Sequence, residues 1–117
     1  MDIRNLVSAL LAGDLIAARQ FVADAQRIGL QWNRLERPAD MNDRELPVAA
    51  GVVELLAARA GTPPPPWTST VGAVGELLVL DPGLEKMPRS FERARVAGPV
   101  SLRKRNIVAS ADFLDVA

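Results

Sequence analysis

Between Lys86 and Arg105 the chain carries seven cations (Lys86, Arg89, Arg93, Arg95, Arg103, Lys104 and Arg105) against a single anion, Glu92. Guanidinium groups at this density suit one kind of chemistry, the capture of carboxylates or phosphates through paired N–H donors. The window nets +6, and the remainder of the chain nets −6, so the whole is formally neutral. No global field draws this protein to nucleic acid or to an anionic membrane, and any attraction must be local. Three fates fit the window: a solvated or internally paired face, a docking face for an acidic protein partner, or phosphate contact with nucleic acid. The last would use the 86–105 window of a small DNA-binding regulator. Against it stand only five Phe and Trp residues for base stacking and no recognisable helix-turn-helix or zinc pattern.

Other candidate chemistry is thin. The chain has no Cys, no His and no Tyr, which removes thiolate catalysis, disulfides, zinc-thiolate sites and the commonest general base and metal ligand. Carboxylates, hydroxyls and two lysines remain. Asp40, Asp43 and Glu45 fall within a short stretch, but anions at a helix start explain all three. Gly72 and Gly75 in "VGAVGEL" lack the Gly-Lys-Ser/Thr sequence of a phosphate loop. No catalytic constellation, cofactor site or metal site is expected, and the expectation is a non-enzyme.

The elements that must position the cations come next. Length and composition, 117 residues with 49% hydrophobic and 24% charged, suit one ordinary folded domain. Ile3, Leu6, Val7, Leu10 and Leu11 recur at helical spacing, and Gly13 and Asp14 read as a stop and a new cap. Leu15, Ala18, Val22 and Ala25 form the stripe of a second helix that Gly29 closes. Asn42 and Glu45 have capping-box spacing for a third helix, with Pro47 in its first turn and Gly61 at its end. "TPPPPWTST" then reads as a stiff extended spacer, with Trp67 folded back onto the helices in preference to serving as a ligand for a Pro-binding domain. Beyond it, "ELLVL" fits a short strand or one helical turn, "PRSFERARVAG" a short helix, and Ile107–Val108 an extended piece followed by a turn at Ser110. The reading is all-α: one domain over 1–117, with a helical core of about three helices (1–61), a Pro-rich spacer (62–72) and a less regular C-terminal part (73–117). The N-terminal apolar run is preceded by one cation and interrupted by Asp2, which disfavours a signal peptide. No run reaches the ~20 apolar residues of a membrane span, so a cytoplasmic protein without membrane contact is expected.

In order along the chain, "AAGVVELLAARAG", "PPPPWT" and the closing "LRKRN" with "ADFL" form a set that resembles a pattern in small actinobacterial antitoxin-like proteins. Those proteins are encoded beside AbiE-like nucleotidyltransferase-fold toxins. The likeness spans residues 14 to 117, and the matching positions are Pro66, Trp67, Thr68, Leu102, Arg103, Arg105, Asn106, Phe113 and Leu114. The chain departs from the pattern at Val108, where members carry an aromatic. The alanine- and arginine-rich composition agrees with a GC-rich bacterial source. The resemblance implies a toxin–antitoxin role in which the C-terminal segment docks on the acidic cleft of a nucleotidyltransferase-fold toxin. Trp67, Arg103, Lys104, Arg105, Asn106, Ile107, Phe113 and Leu114 would be the partner-binding residues, the cations steering and the apolar groups anchoring. A homo-oligomer is a further expectation. On the residues alone, the apolar run from Ile107 to Leu114 must pack, either on the protein's own core or on a partner.

Overall fold

Helix starts and stops in the N-terminal half follow from a handful of residues. The structure, a computed structural model describing residues 1–115, begins helix α1 (Ile3–Leu11) at Asp2, whose carboxylate accepts from the Arg4 backbone N–H and is gripped by the Arg4 guanidinium. Helix α2 (Leu15–Arg27) is capped by Asp14, which accepts from the Ala17 N–H at 3.0 Å. For helix α3 (Glu45–Arg59) the capping box closes in both directions. Asn42 Oδ1 accepts from the Arg44 and Glu45 N–H groups, and Glu45 Oε1 accepts from the Asn42 N–H. All three helices end in the same way, with Gly13, Gly29 and Gly61 at positive φ, a region that glycine enters without Cβ strain. The next residue in each case, Asp14, Leu30 or Thr62, donates back to a carbonyl five positions earlier, closing a Schellman motif.

These helices form a core with α3 at its centre. Every residue from Pro47 to Val53 is buried, as are Leu56 and Ala57, so α3 is apolar on nearly all sides and must be enclosed on nearly all sides. Helix α1 packs on both α2 and α3, and the short 3-10 turn Trp32–Arg34 sets buried Trp32 against α3. The remaining cover comes from the C-terminal half. Gly51 is the point of closest approach: a Cβ there would stand 2.6 Å from Leu102 Cδ2, and Ser101 Oγ donates to the Gly51 carbonyl at 2.8 Å.

That second half is built on a minimal parallel sheet. Strands β1 (Leu78–Val79) and β2 (Ile107–Val108) pair in parallel, Leu78 opposite Ile107 and Val79 opposite Val108. Parallel pairing requires a long crossover, which here contains the 3-10 turn Leu84–Lys86, helix α4 (Pro88–Ala97) and helix α5 (Val100–Arg103). Asp81 serves the sheet: its carboxylate accepts from the Ser110 N–H at 2.8 Å, fastening the segment that follows β2. A turn from Ser110 to Phe113 then lays Phe113 and Leu114 on the main core, where the Arg59 guanidinium donates to the Phe113 and Ala111 carbonyls.

The architecture is mostly helical, as the apolar spacing predicts, with two two-residue strands among the described residues. The stretches expected as helical core, Pro-rich spacer and less regular C-terminal part all pack around α3. Residues 63–65 leave α3 as an extended stretch, but Pro65 is buried and the 3-10 turn Pro66–Thr70 packs on α3. Burial of the Pro65 ring and of Thr68 makes this segment part of the wall. The C-terminal part likewise covers α3; Val116 and Ala117, the end of the 73–117 segment, lie outside the described residues. No helix among the described residues is long and apolar enough to cross a membrane.

Candidate functional site

Of the acidic stretch, only Glu45 lies in the first turn of α3. Glu45 works in the capping box, Asp40 sits in a left-handed backbone turn at φ 59, and no grouping of acidic side chains among the described residues has the geometry of a metal site. Gly72 and Gly75 flank Val74, whose N–H donates to the Arg105 carbonyl at 3.0 Å and brings this loop alongside β2.

The basic window, in contrast, is split by the fold into inward and outward cations. Arg105 is 2% exposed, the largest fully buried side chain in the protein. One of its terminal nitrogens donates to Glu54 Oε1 at 2.5 Å and to the Ser101 carbonyl at 2.8 Å, and the other donates to the Thr68 carbonyl at 2.8 Å. Its Nε has no partner among the described residues. The neighbouring Lys104 ammonium lies 3.1 Å from the same Glu54 oxygen, from the solvent side. Burial opposes ionisation of Glu54, but hydrogen bonds from Arg105 and Lys104 and the charge of Arg105 outweigh it and hold the carboxyl below its ordinary pKa. This one carboxylate therefore ties α3 to the end of α5, and through Arg105 to the Pro66–Thr70 turn. Glu54 was missed in reading the sequence for a site, although a single acid inside the apolar run "VVELLA" is itself a signal, because such a charge needs a partner.

The partner-binding set read from the sequence is dispersed by this arrangement. Ile107, Phe113 and Leu114 are each 2% exposed or less and pack in the main core, so in this conformation they anchor the C-terminus to its own domain. Docking through them would require this segment to leave the core. Arg105 is enclosed too, its charge paired with Glu54. Trp67 is half-buried, and its indole N–H donates to the Leu35 carbonyl at 2.9 Å, so it folds back onto the helical half. Lys104 is exposed but shares Glu54.

Arg103 and Asn106 fare differently. Arg103 is exposed, and its Nε donates to the Gly98 carbonyl at 2.6 Å, which orients the side chain across the α4–α5 junction. Asn106 takes a left-handed conformation at φ 65, suited to a short polar side chain, between α5 and β2. Both line a cleft of about 180 Å³ together with Leu77, Arg95, Ile107 and Val108. Arg95 reaches Glu92 at 3.5 Å, a loose pair between two exposed side chains. For Lys86, Arg89, Arg93 and Arg103, no carboxylate among the described residues lies within ion-pair distance. Lys86, Arg89 and Arg93 recur at helical spacing on the exposed side of α4 and the turn before it. Leu77, Met87, Val96 and Val100, each at least 50% exposed, lie in the same part of the chain. The sequence already showed these apolar groups, but periodicity alone does not distinguish them from core residues.

Comparisons of the chain with known protein families, with curated proteins and with solved structures find no match.

Proposed function

We propose that this protein is a non-enzymatic interaction module of the bacterial cytoplasm that docks on an acidic protein surface through its outward cations. In this reading the N-terminal helices are the scaffold and the 86–103 stretch is the working face. The observation that carries it is the division of the basic window. Arg105 and Lys104 are neutralised internally, while Lys86, Arg89, Arg93 and Arg103 have no acid partner among the described residues. Cations held on a short rigid helix and left without counter-charges favour association with an oppositely charged surface. The lack of Cys, His and Tyr supports a role without catalysis. The resemblance of "PPPPWT" and "LRKRN" to antitoxin-like proteins makes a nucleotidyltransferase-fold toxin the partner of choice, with this chain as its antitoxin or regulator. Co-expression with the products of the adjacent genes tests this: a co-eluting complex that dissociates at high salt is expected, and separate elution at low salt would sink it.

A second reading, a small DNA-binding regulator, draws on the same unpaired arginines. Gel retardation with the promoter of its own operon at increasing salt discriminates. A steep loss of retardation with salt would favour this reading, and no retardation at low salt excludes it.

A further inference from the structure

We infer that the cleft between Arg95 and Arg103 is a carboxylate-binding site, and that its occupant is an acidic segment of a protein partner in which aspartate or glutamate alternates with aliphatic residues. The inference rests on the protein-docking reading above and gives it a location and a ligand chemistry.

Two guanidinium groups border one small cleft, and each leaves its terminal nitrogens without a hydrogen-bond partner among the described residues. Arg95 is 53% exposed, and its 3.5 Å pair with Glu92 is the kind of surface contact that contributes little and exchanges readily. Arg103 is anchored through Nε alone, leaving its terminal nitrogens for a ligand while the bond to Gly98 fixes their direction. A guanidinium oriented in advance loses less freedom when it closes on a carboxylate, which strengthens binding at no cost in new contacts. Asn106, between them in the cleft wall, adds a neutral amide that can donate to an oxyanion.

The surroundings select protein over nucleic acid. Leu77, half exposed, gives the cleft an aliphatic edge, and Val96 and Val100, 63% and 64% exposed, flank the junction across which Arg103 lies. A peptide carrying aliphatic side chains beside its carboxylate would bury that surface. A nucleic-acid backbone would gain nothing from it, and the cleft has no aromatic side chain on which a base could stack. Cations within an apolar surround match an acidic-aliphatic strip in both charge and hydrophobicity.

The test is an NMR titration of the full chain at low salt, following backbone amides and arginine Nε–H groups. Three probes are added separately: the capped peptide Leu-Glu-Asp-Leu-Glu, its neutral counterpart Leu-Gln-Asn-Leu-Gln, and a short thymidine oligonucleotide. The acidic peptide should give saturable shifts at the Arg103 Nε–H and at the amides of Asn106 and Val108, and the neutral peptide should leave them in place. Arg95→Gln and Arg103→Gln should each weaken binding about tenfold, as expected for loss of one charge-assisted contact. The Arg95→Glu/Arg103→Glu double variant should instead respond to Leu-Lys-Lys-Leu-Lys, a reversal that misfolding cannot produce. Arg95 makes no buried contact, so Arg95→Gln remains interpretable should the Arg103 variants prove unstable. Equal response to the neutral peptide, no response at these residues, or tighter binding of the oligonucleotide there would overturn the inference. A cellular partner that co-elutes unchanged with the double variant overturns the cleft and leaves the interaction reading standing. Peptide binding at the cleft without any co-eluting partner supports the cleft and removes the interaction reading.

Discussion

Helices α3 and α4 differ in sequence and are opposite in role: α3 is largely apolar, while α4 carries three arginines and a glutamate in ten residues. Along α3 nine residues are buried, seven of them consecutive, and its acid Glu54 is matched by two cations from elsewhere in the chain. Along α4 only Ala94 is fully buried, in a small cluster with Leu84 and Val108, and the arginines point to solvent. The difference shows that position relative to the core, and not proximity in sequence, decides what a charge does. Arg103 and Arg105 are two residues apart, yet one lies in an open cleft and the other is the most enclosed cation in the protein. Stability is concentrated around α3, leaving α4 free to carry groups that stabilise nothing.

Removing Arg105 should break this contrast most severely. In Arg105→Ala the largely enclosed Glu54 keeps only Lys104, and the Thr68 and Ser101 carbonyls lose their donor. A loss of about 3–5 kcal/mol in urea unfolding is expected, the usual result of removing one partner of a buried pair. Replacing both partners, as Glu54→Leu/Arg105→Met, should recover much of it, since two apolar groups leave no buried charge unpaired. A double variant as unstable as the single would mean that the guanidinium matters mainly through its carbonyl contacts.

Gly51→Ala comes next. The added methyl meets Leu102 and, at 3.2 Å, the Ser101 carbonyl, so α5 must move away from α3. Overpacking of this kind costs about 1–3 kcal/mol, measurable as a lower unfolding midpoint. Ser90→Ala on α4, which removes a hydroxyl at a half-buried position and adds no atom to the core, should cost far less.

Acid sharpens the comparison further. Glu54 has its pKa lowered in the native state relative to the ordinary value of 4.5, so the unfolded chain binds its proton more tightly. The stabilisation is complete above that ordinary value and is lost as pH falls through the lowered native one. Urea midpoints measured from neutral to acid pH should therefore decline in acid, and Glu54→Gln should flatten part of that decline while lowering stability at neutral pH. An unchanged profile in Glu54→Gln would show that the ion pair is not what acid breaks.

The smallest expected effect on stability belongs to α4. Arg89→Ala and Arg93→Ala should each shift unfolding by within about 0.5 kcal/mol, because both side chains are exposed and unpaired among the described residues. Their effect should appear instead in the salt dependence and on-rate of partner binding. If they destabilised as much as Gly51→Ala, the division of labour between the two helices would be wrong.

Much of the local structure was legible before any coordinates. Asp14, the Asn42–Glu45 box and the three closing glycines are short-range devices whose partners lie within five residues, so spacing alone reveals them. The strand pair was half legible: "ELLVL" and Ile107–Val108 each have extended character, but nothing local indicates that they meet in parallel across the α4–α5 crossover. Four prolines specify an extended backbone and say nothing about what it rests on, so the packing of the Pro-rich run on α3 is not legible in the sequence. The C-terminal segment is a related case. Apolarity at Ile107, Phe113 and Leu114 demands burial, and it was the protein's own core that supplied it.

By itself, then, the amino-acid order determined where helices begin and end, that Ile107 to Leu114 must be buried somewhere, and that an excess of cation lies between residues 86 and 105. Tertiary structure alone decided which cations remain available. Glu54 comes from a helix about fifty residues away in the chain and consumes Lys104 and Arg105, while α4, lying at the rim of the core, leaves its arginines and Arg103 in water. Helix periodicity and capping act over one or two turns and are written in neighbouring residues. The pairing of a buried charge depends on which distant segments share a wall of the core, and that is settled only when the chain closes on itself.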